Sequence, residues 1–350
     1  MITIAGCSTP LTINSKSKKH SAIGYIRTNW GLDPYSYGSY SFFAKGSEKA
    51  DARELALPIK DKLFFIGEAT HHSYHSTVHA AFETGLSTVA AIKHTKAKHI
   101  AVIGAGVSGL TTATKLVEAG HKITLLEARH RIGGRIWSDN RLGIPLDLGA
   151  SWIHGIDGNP IAKRAQELDL ETITTNDHFI VRGKNGRVLS DDLPHWLEEV
   201  VSVQHDFGAH LDEINMYAYQ DTPKYGGGDA IFKKGYAQLF KKIPNQIDLH
   251  LNWDVREINY EDTIQIVSRT GKTLSCDSVI ISVPLGVLKS KSIKFYPSLP
   301  TRKQIAIKRL GMGLLDKVYL KFEDVFWDRH ISWIITPENG LPPGQFNQWF

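Results

Sequence analysis

In the stretch "HIAVIGAGVSGL", Gly104, Gly106 and Gly109 have the G-x-G-x-x-G spacing of a backbone that wraps a pyrophosphate. The chemistry is electrostatic. The glycines permit a tight turn, clear side chains from the approach of the phosphates, and deliver the anion to the start of a helix at Val107 and Ser108, where amides lack intrahelical partners. Glu127 ends the following strand and is placed to accept from an adenosine ribose hydroxyl. An acid there argues against a 2′-phosphate and leaves NAD and FAD both open. Lys317 lies in "LLDKVYLKF", with Tyr319 and Lys321 on its side of an alternating pattern and Val318, Leu320 and Phe322 opposite. A solvent-facing lysine is one reading of that pattern.

These residues need elements to hold them. A strand over Ile100–Ile103, a Gly turn, a helix over Ser108–Ala119 and a strand over Lys122–Leu126 make a βαβ opening. "KLFFIG" reads as a short strand, and "TVHAAFETGLSTVAAIK" as a helix over Thr77–Lys93 with Thr77 as N-cap. "SVIISVPLGVL" reads as a buried strand stopped by Pro284, "TRKQIAIKRLG" as a helix, and Gly226–Gly228 as a loop. Residues 1–23 are polar and irregular, and 161–221 mixed and largely helical.

The chain has 350 residues, 42% hydrophobic and 22% charged, which excludes disordered and fibrous classes and suits about two domains. A net charge of +5, with only "KSKK" at Lys16–Lys19 as a basic run, gives no nucleic-acid footprint. Cys7 and Cys276 fit no metal or redox spacing, so a reducing compartment is the default. No apolar run reaches membrane-spanning length and the N-terminus is a poor signal peptide; a cytoplasmic protein is expected.

"EARHRIGGRIW", continuing from Glu127 through Ala128, Arg129, Gly134 and Arg135, resembles the FAD-binding signature of the flavin amine oxidase superfamily, which includes polyamine oxidases and histone lysine demethylases. "DLGASWIHG", "SVPLGVLK", "LLDKVYLKFEDVFW", "GSYSF" and "GEAT…TVHAA" resemble further pieces of the same family, and together they cover most of residues 25–350. The resemblance implies an α/β fold, a Rossmann-like doubly wound FAD-binding domain interleaved with a mixed α+β substrate domain. It also decides the cofactor as FAD, held noncovalently because "GSYSF" lacks a cysteine.

The resemblance implies roles residue by residue. Arg129 and Arg135 meet pyrophosphate or flavin, and Gly149, Ala150, Ser151 and Trp152 pass the flavin and line the substrate cavity. Val255 meets the adenine through its backbone. Gly67 and Glu68 face the ribityl or pyrophosphate region, and Thr77 and Val78 open a helix aimed at the flavin C2 carbonyl. Lys317 reaches flavin N5 through a water, and Tyr40 and Tyr74 face each other across a slim amine. His154 takes a proton from that amine or bonds to it. The implied reaction passes hydride from an amine C–H to N5, with dioxygen reoxidising the flavin to give hydrogen peroxide. Glu167, Glu171 and Asp212 are candidate partners for the cationic amine. His71, His72, His75 and His79 include spacings of four that suit a metal, but they fall where the family builds flavin and cavity walls, and no metal is expected. A related desaturase or protoporphyrinogen oxidase, and a noncatalytic flavin-binding remnant, are the alternatives.

The motif order departs from the family's, in which the Gly-rich loop comes first and "GEAT" last. The expected organisation is an N-terminal segment 1–23, a closing-type part of the FAD domain at 24–95, its Gly-rich part at 98–160, substrate-domain residues 161–235, the FAD-domain middle at 236–290 and further substrate-domain residues 291–350. The join "HTKAKH" would connect a helix ending near Lys93 to a strand starting near Ile100, making the chain a permuted and shortened amine oxidase. A partner chain or dimer could then complete its substrate domain.

Overall fold

The computed structural model describes residues 12–14, 19–183, 186–189, 195–220, 222–341 and 346–350. At its centre lies a five-stranded parallel sheet in the order Ile247–His250, Lys122–Leu126, His99–Ile103, Ser278–Ile281, Leu63–Phe65. Short strands rich in Ile, Val, Leu and Phe suit burial on both faces of such a sheet. Period-two alternation then sorts their side chains between two cores. Phe65, Ala101, Ile103, Val279 and Ile281 enter one, and Phe64, Ile100, Val102, Ile123 and Ile280 the other.

Helix α1 (Lys49–Ala56), α2 (Val78–Lys93) and α3 (Val107–Glu118) flank the sheet. Thr77 caps α2, its hydroxyl accepting from the Ala80 N–H at 3.1 Å. Gly85 lets α2 lie on α3, because a Cβ there would stand 2.7 Å from the Ser108 carbonyl oxygen. Thr112 donates across the same contact to the Gly85 carbonyl at 2.8 Å.

The strand Leu63–Phe65 precedes His99–Ile103 in the chain, yet it borders the sheet beyond Ser278–Ile281. The link from α2 to His99 is His94–Lys98, pinned where the Asp277 carboxylate accepts from the Lys98 and His99 N–H groups, each at 2.8 Å. Early residues also pair with the latest ones. Gly24–Arg27 lies antiparallel to Val318–Lys321, and Tyr40–Phe42 to Gly311–Gly313. A mixed four-stranded sheet carries Val255–Asn259, and two three-stranded sheets carry Trp152–Ile153 and Trp333–Ile335.

Some boundaries differ from the sequence reading. Residues Thr12–Asn14 and Lys19–Ser21 pair as a hairpin where irregular chain was expected; Cys7 and Lys16–Lys18 lie outside the described residues. The apolar run at Ser278 ends its strand at Ile281, because Pro284 caps a short helix, Leu285–Ser290, and the chain must turn to enter it. The strand near Lys317 begins one residue later, at Val318. Among the described residues no helix is long and apolar enough to cross a membrane.

Candidate active site

The strand ends and helix starts converge on a cavity of about 1520 Å³. Every cofactor-site and catalytic residue expected from the sequence lines it except Gly109 and Arg129. One end is a backbone cradle. Gly104 has φ +102°, and a Cβ on Gly109 would stand 2.0 Å from the Gly104 carbonyl oxygen, so only glycine lets α3 start this close to its strand. A Cβ on Gly106 would meet nothing within 4 Å, which leaves open space in front of the α3 amides at Val107 and Ser108. Gly134, at φ +59°, approaches the Gly106 Cα, and Gly149 rests on the Arg135 carbonyl, which a Cβ there would meet at 1.7 Å. A phosphate-sized cradle at a helix N-terminus is the donor set a dinucleotide needs.

Glu127 braces this cradle. Its carboxylate accepts from the Ala105 N–H at 2.7 Å and the Arg129 N–H at 2.8 Å. Burial pushes its pKa up against those bonds. Two expected cofactor contacts turn elsewhere. Glu68 is buried and accepts from Arg135 (2.8 Å), Ser41 Oγ (2.5 Å) and the Ser76 N–H (3.1 Å). Burial alone would raise its pKa, but the Arg135 guanidinium, with His75 and Ser41, outweighs it and holds the carboxyl below its ordinary value. Glu68 and Arg135 thus neutralise each other at the cavity wall. Arg129 instead leaves the cavity to form a two-pronged pair with Asp33, at 2.7 and 2.8 Å.

Lys317 is 6% exposed, so the solvated-lysine alternative does not describe it. Its Nζ donates to the carbonyls of Asp147 (2.9 Å) and Gly149 (2.5 Å) and meets Ser151 Oγ at 2.5 Å. Burial pushes its pKa down to about 7, with the Asp147 carboxylate pulling the other way. Neighbouring strand pairing fixes it: the Lys317 N–H donates to Thr28 Oγ at 2.7 Å, and its carbonyl accepts from the Thr28 N–H at 2.9 Å. Tyr319 also points inward, donating to the Asp147 carbonyl at 2.7 Å.

The aromatic wall holds more than the expected pair, both of which line the cavity. Tyr74 stacks on Tyr225, centroids 5.2 Å apart at 16°, with the His79 ring edge-on to both. Tyr40 donates instead to the His205 carbonyl at 2.5 Å. Tyr225 is held by Glu83, its hydroxyl donating at 3.1 Å, and Glu83 also takes His71 Nε2 at 3.0 Å. The only sequence signal for Tyr225 was its place beside the Gly226–Gly228 turn. His154 is exposed and paired with Asp229 at 2.8 Å.

Glu167, Glu171 and Asp212 do not line the cavity: Glu167 pairs with Arg164 and Glu171 with Lys233 on the surface, and Asp212 lies beside His210. Besides Glu68, Glu127 and Asp254, the lining carboxylates are Asp177, Asp206 and Asp229. Asp206 lines the cavity, and desolvation there raises its pKa, with Asp229 adding to the rise. His75 and His79 are buried, with ring pKa values pushed by burial down to about 4 and about 3. Among the described residues no group of His, Cys, Asp and Glu is arranged to hold a metal ion.

Comparison with known proteins fits this geometry. Residues 13–93, 107–216 and 202–347 match the family described as flavin containing amine oxidoreductase. "Polyamine oxidase 5" of Oryza sativa subsp. japonica is 31% identical over 293 residues, 65% of this chain and 59% of that protein. "Polyamine oxidase 2" of Arabidopsis thaliana is 28% identical over 297 residues, 67% of this chain and 61% of that protein. "Lysine-specific histone demethylase 1B" of Mus musculus is 26% identical over 323 residues, 74% of this chain and 39% of that protein. The chain spans about three fifths of the length of the polyamine oxidases it matches. With a dinucleotide cradle at one end of a large cavity and a family match over most of its length, the chain belongs to the flavin-containing amine oxidoreductases, and its cofactor is FAD.

Proposed function

We propose that this chain is an FAD-dependent amine oxidase acting in the cytoplasm on a slim aliphatic amine of the polyamine type. FAD bound in the cavity supplies the two-electron acceptor for an amine C–H and returns the electrons to dioxygen as hydrogen peroxide. The observation that carries the reading is Lys317, a buried amine at the cavity wall with a pKa pushed down to about 7. Near neutrality it can both take and release a proton, which suits general acid–base work. Ser151 serves either state, since its hydroxyl accepts from the ammonium and can donate to the neutral amine.

The rest of the wall suits a cation with an alkyl chain. Tyr40, Tyr74 and Tyr225 offer aromatic surface, while Asp177, Asp206 and Asp229 offer negative charge. The test is the visible spectrum of the purified chain, recorded anaerobically before and after adding spermine. A flavin band that bleaches is the expected result. A band that persists with every amine tried would overturn the oxidase reading and leave a flavin-binding protein.

A further inference from the structure

The loop Asp33–Ser39 ("DPYSYGS") has no role in the site described so far, yet Pro34, Tyr35, Ser36, Tyr37 and Ser39 line the cavity. It lies at the end marked by Glu127 and Val255 and bordered by Trp253, Asp254 and Arg269. Asp33 builds the loop. Its Oδ1 accepts from the Tyr35 N–H at 2.9 Å, and its carbonyl from the Ser36 and Tyr37 N–H groups at 3.0 and 2.9 Å. The same carboxylate takes both prongs of Arg129, which also bonds Ser36 Oγ at 3.0 Å and lies 5.3 Å above the Tyr35 ring centroid. Both partners of the ion pair are largely buried, with 12% and 19% of their side chains exposed. From the other side Gly286 admits the loop, since a Cβ there would stand 2.2 Å from the Ser36 carbonyl oxygen.

We propose that this loop is a cofactor-binding element: Tyr35 forms a wall of the pocket for the adenosine half of FAD, and Arg129 is a positioning residue that acts through Asp33 to hold it there. A planar base needs a flat apolar surface, and Tyr35 is the half-buried ring offered at this end between Arg129 and the Arg269–Asp254 pair, itself at 2.7 Å. Arg129 supplies the bidentate fork that a lysine lacks. The inference rests on FAD as cofactor and is independent of the amine chemistry.

The experiment titrates FAD into the deflavinated full chain, following quenching of flavin fluorescence, and measures ADP as a competitor. Asp33→Asn and Tyr35→Ala should each weaken FAD about tenfold or more, the scale expected for breaking a part-buried pair or removing a stacking ring. ADP should weaken by the same factor, while for Tyr35→Ala, which leaves the ion pair in place, the urea midpoint of the deflavinated chain stays at the wild-type value. FAD affinity within twofold of wild type would overturn the proposal. So would FAD weakening with ADP unchanged, or a fall in the urea midpoint large enough to account for the loss. If Asp33→Asn does not fold, Tyr35→Ala leaves the ion pair in place and decides the matter by the same measurements. A chain that binds FAD and ADP as expected but oxidises no amine counts against the proposed function alone.

Discussion

Lys317 concentrates the chemistry at the scale of one side chain. Replacing it with Met should slow anaerobic bleaching by spermine about 100-fold or more, the usual worth of a positioned acid–base group. The wild-type rate should rise with pH through about 7 as the amine loses its proton, and the variant should be flat there. Stopped-flow reduction across pH 6–9 checks both. The buried histidines give a second pH signature with the opposite cause. An unfolded histidine takes a proton near 6.5, but folded His75 stays neutral to about 4. The unfolded chain therefore binds more protons in that window, and stability falls as pH drops from about 6.5 toward 4. His75 stacks on Phe43 at 4.3 Å, so His75→Phe keeps the ring contact and should flatten part of that slope in urea titrations. Glu127 and the glycines were marked in sequence by a spacing that their chemistry requires, and Lys317 by the family resemblance of its strand. Tyr225, Asp206, Asp229 and the Asp33–Arg129 pair were not, because each gains its role from a neighbour far along the chain.

Among the elements, the least expected device is a lysine that ends a helix it does not belong to. Lys303, on the helix Thr301–Arg309, is 1% exposed and donates to the carbonyls of Glu54, Leu55 and Leu57, each at 2.8 Å. Those are the free carbonyls at the C-terminal end of α1, where a cation is favoured. Lys303 also lies 4.5 Å from the Phe65 ring centroid. Lys303→Met would strand one buried and two part-buried acceptors and should cost about 3 kcal/mol, read as a shift in the urea midpoint. The amphipathic pattern placed the helix correctly, but no local pattern says that a buried lysine on it caps a helix some 250 residues earlier. Element types were legible where short-range periodicity decides them. Their ends moved where capping by Pro284, or pairing with Gly24–Arg27, overrode it.

For the whole molecule, the consequential fact is the position of Leu63–Phe65 and α2. They sit against strands and a helix that follow them in the chain, joined through His94–Lys98. We propose that this is the permuted order read from the motifs. A flexible insertion of six Gly/Ser residues between Thr95 and Lys96 should lower stability by about 1 kcal/mol or less, since lengthening a surface connection adds little closure entropy. The same insertion at Gly85, where α2 meets α3, should abolish FAD binding. Thermal melts and flavin fluorescence of the two insertions check this. The proposed permutation shows in sequence only as motif order, because order along a chain says nothing of adjacency until the sheet is seen.

The cavity is lined by residues from Trp30 through to Gln348, so its walls draw on nearly every part of the chain. A ligand that binds only the assembled state adds to stability in proportion to the logarithm of its concentration over its Kd. The cofactor is therefore also a structural keystone, and its supply becomes a control on protein lifetime. Cells short of riboflavin should hold less of this protein, through faster proteolysis of the opened chain rather than slower synthesis.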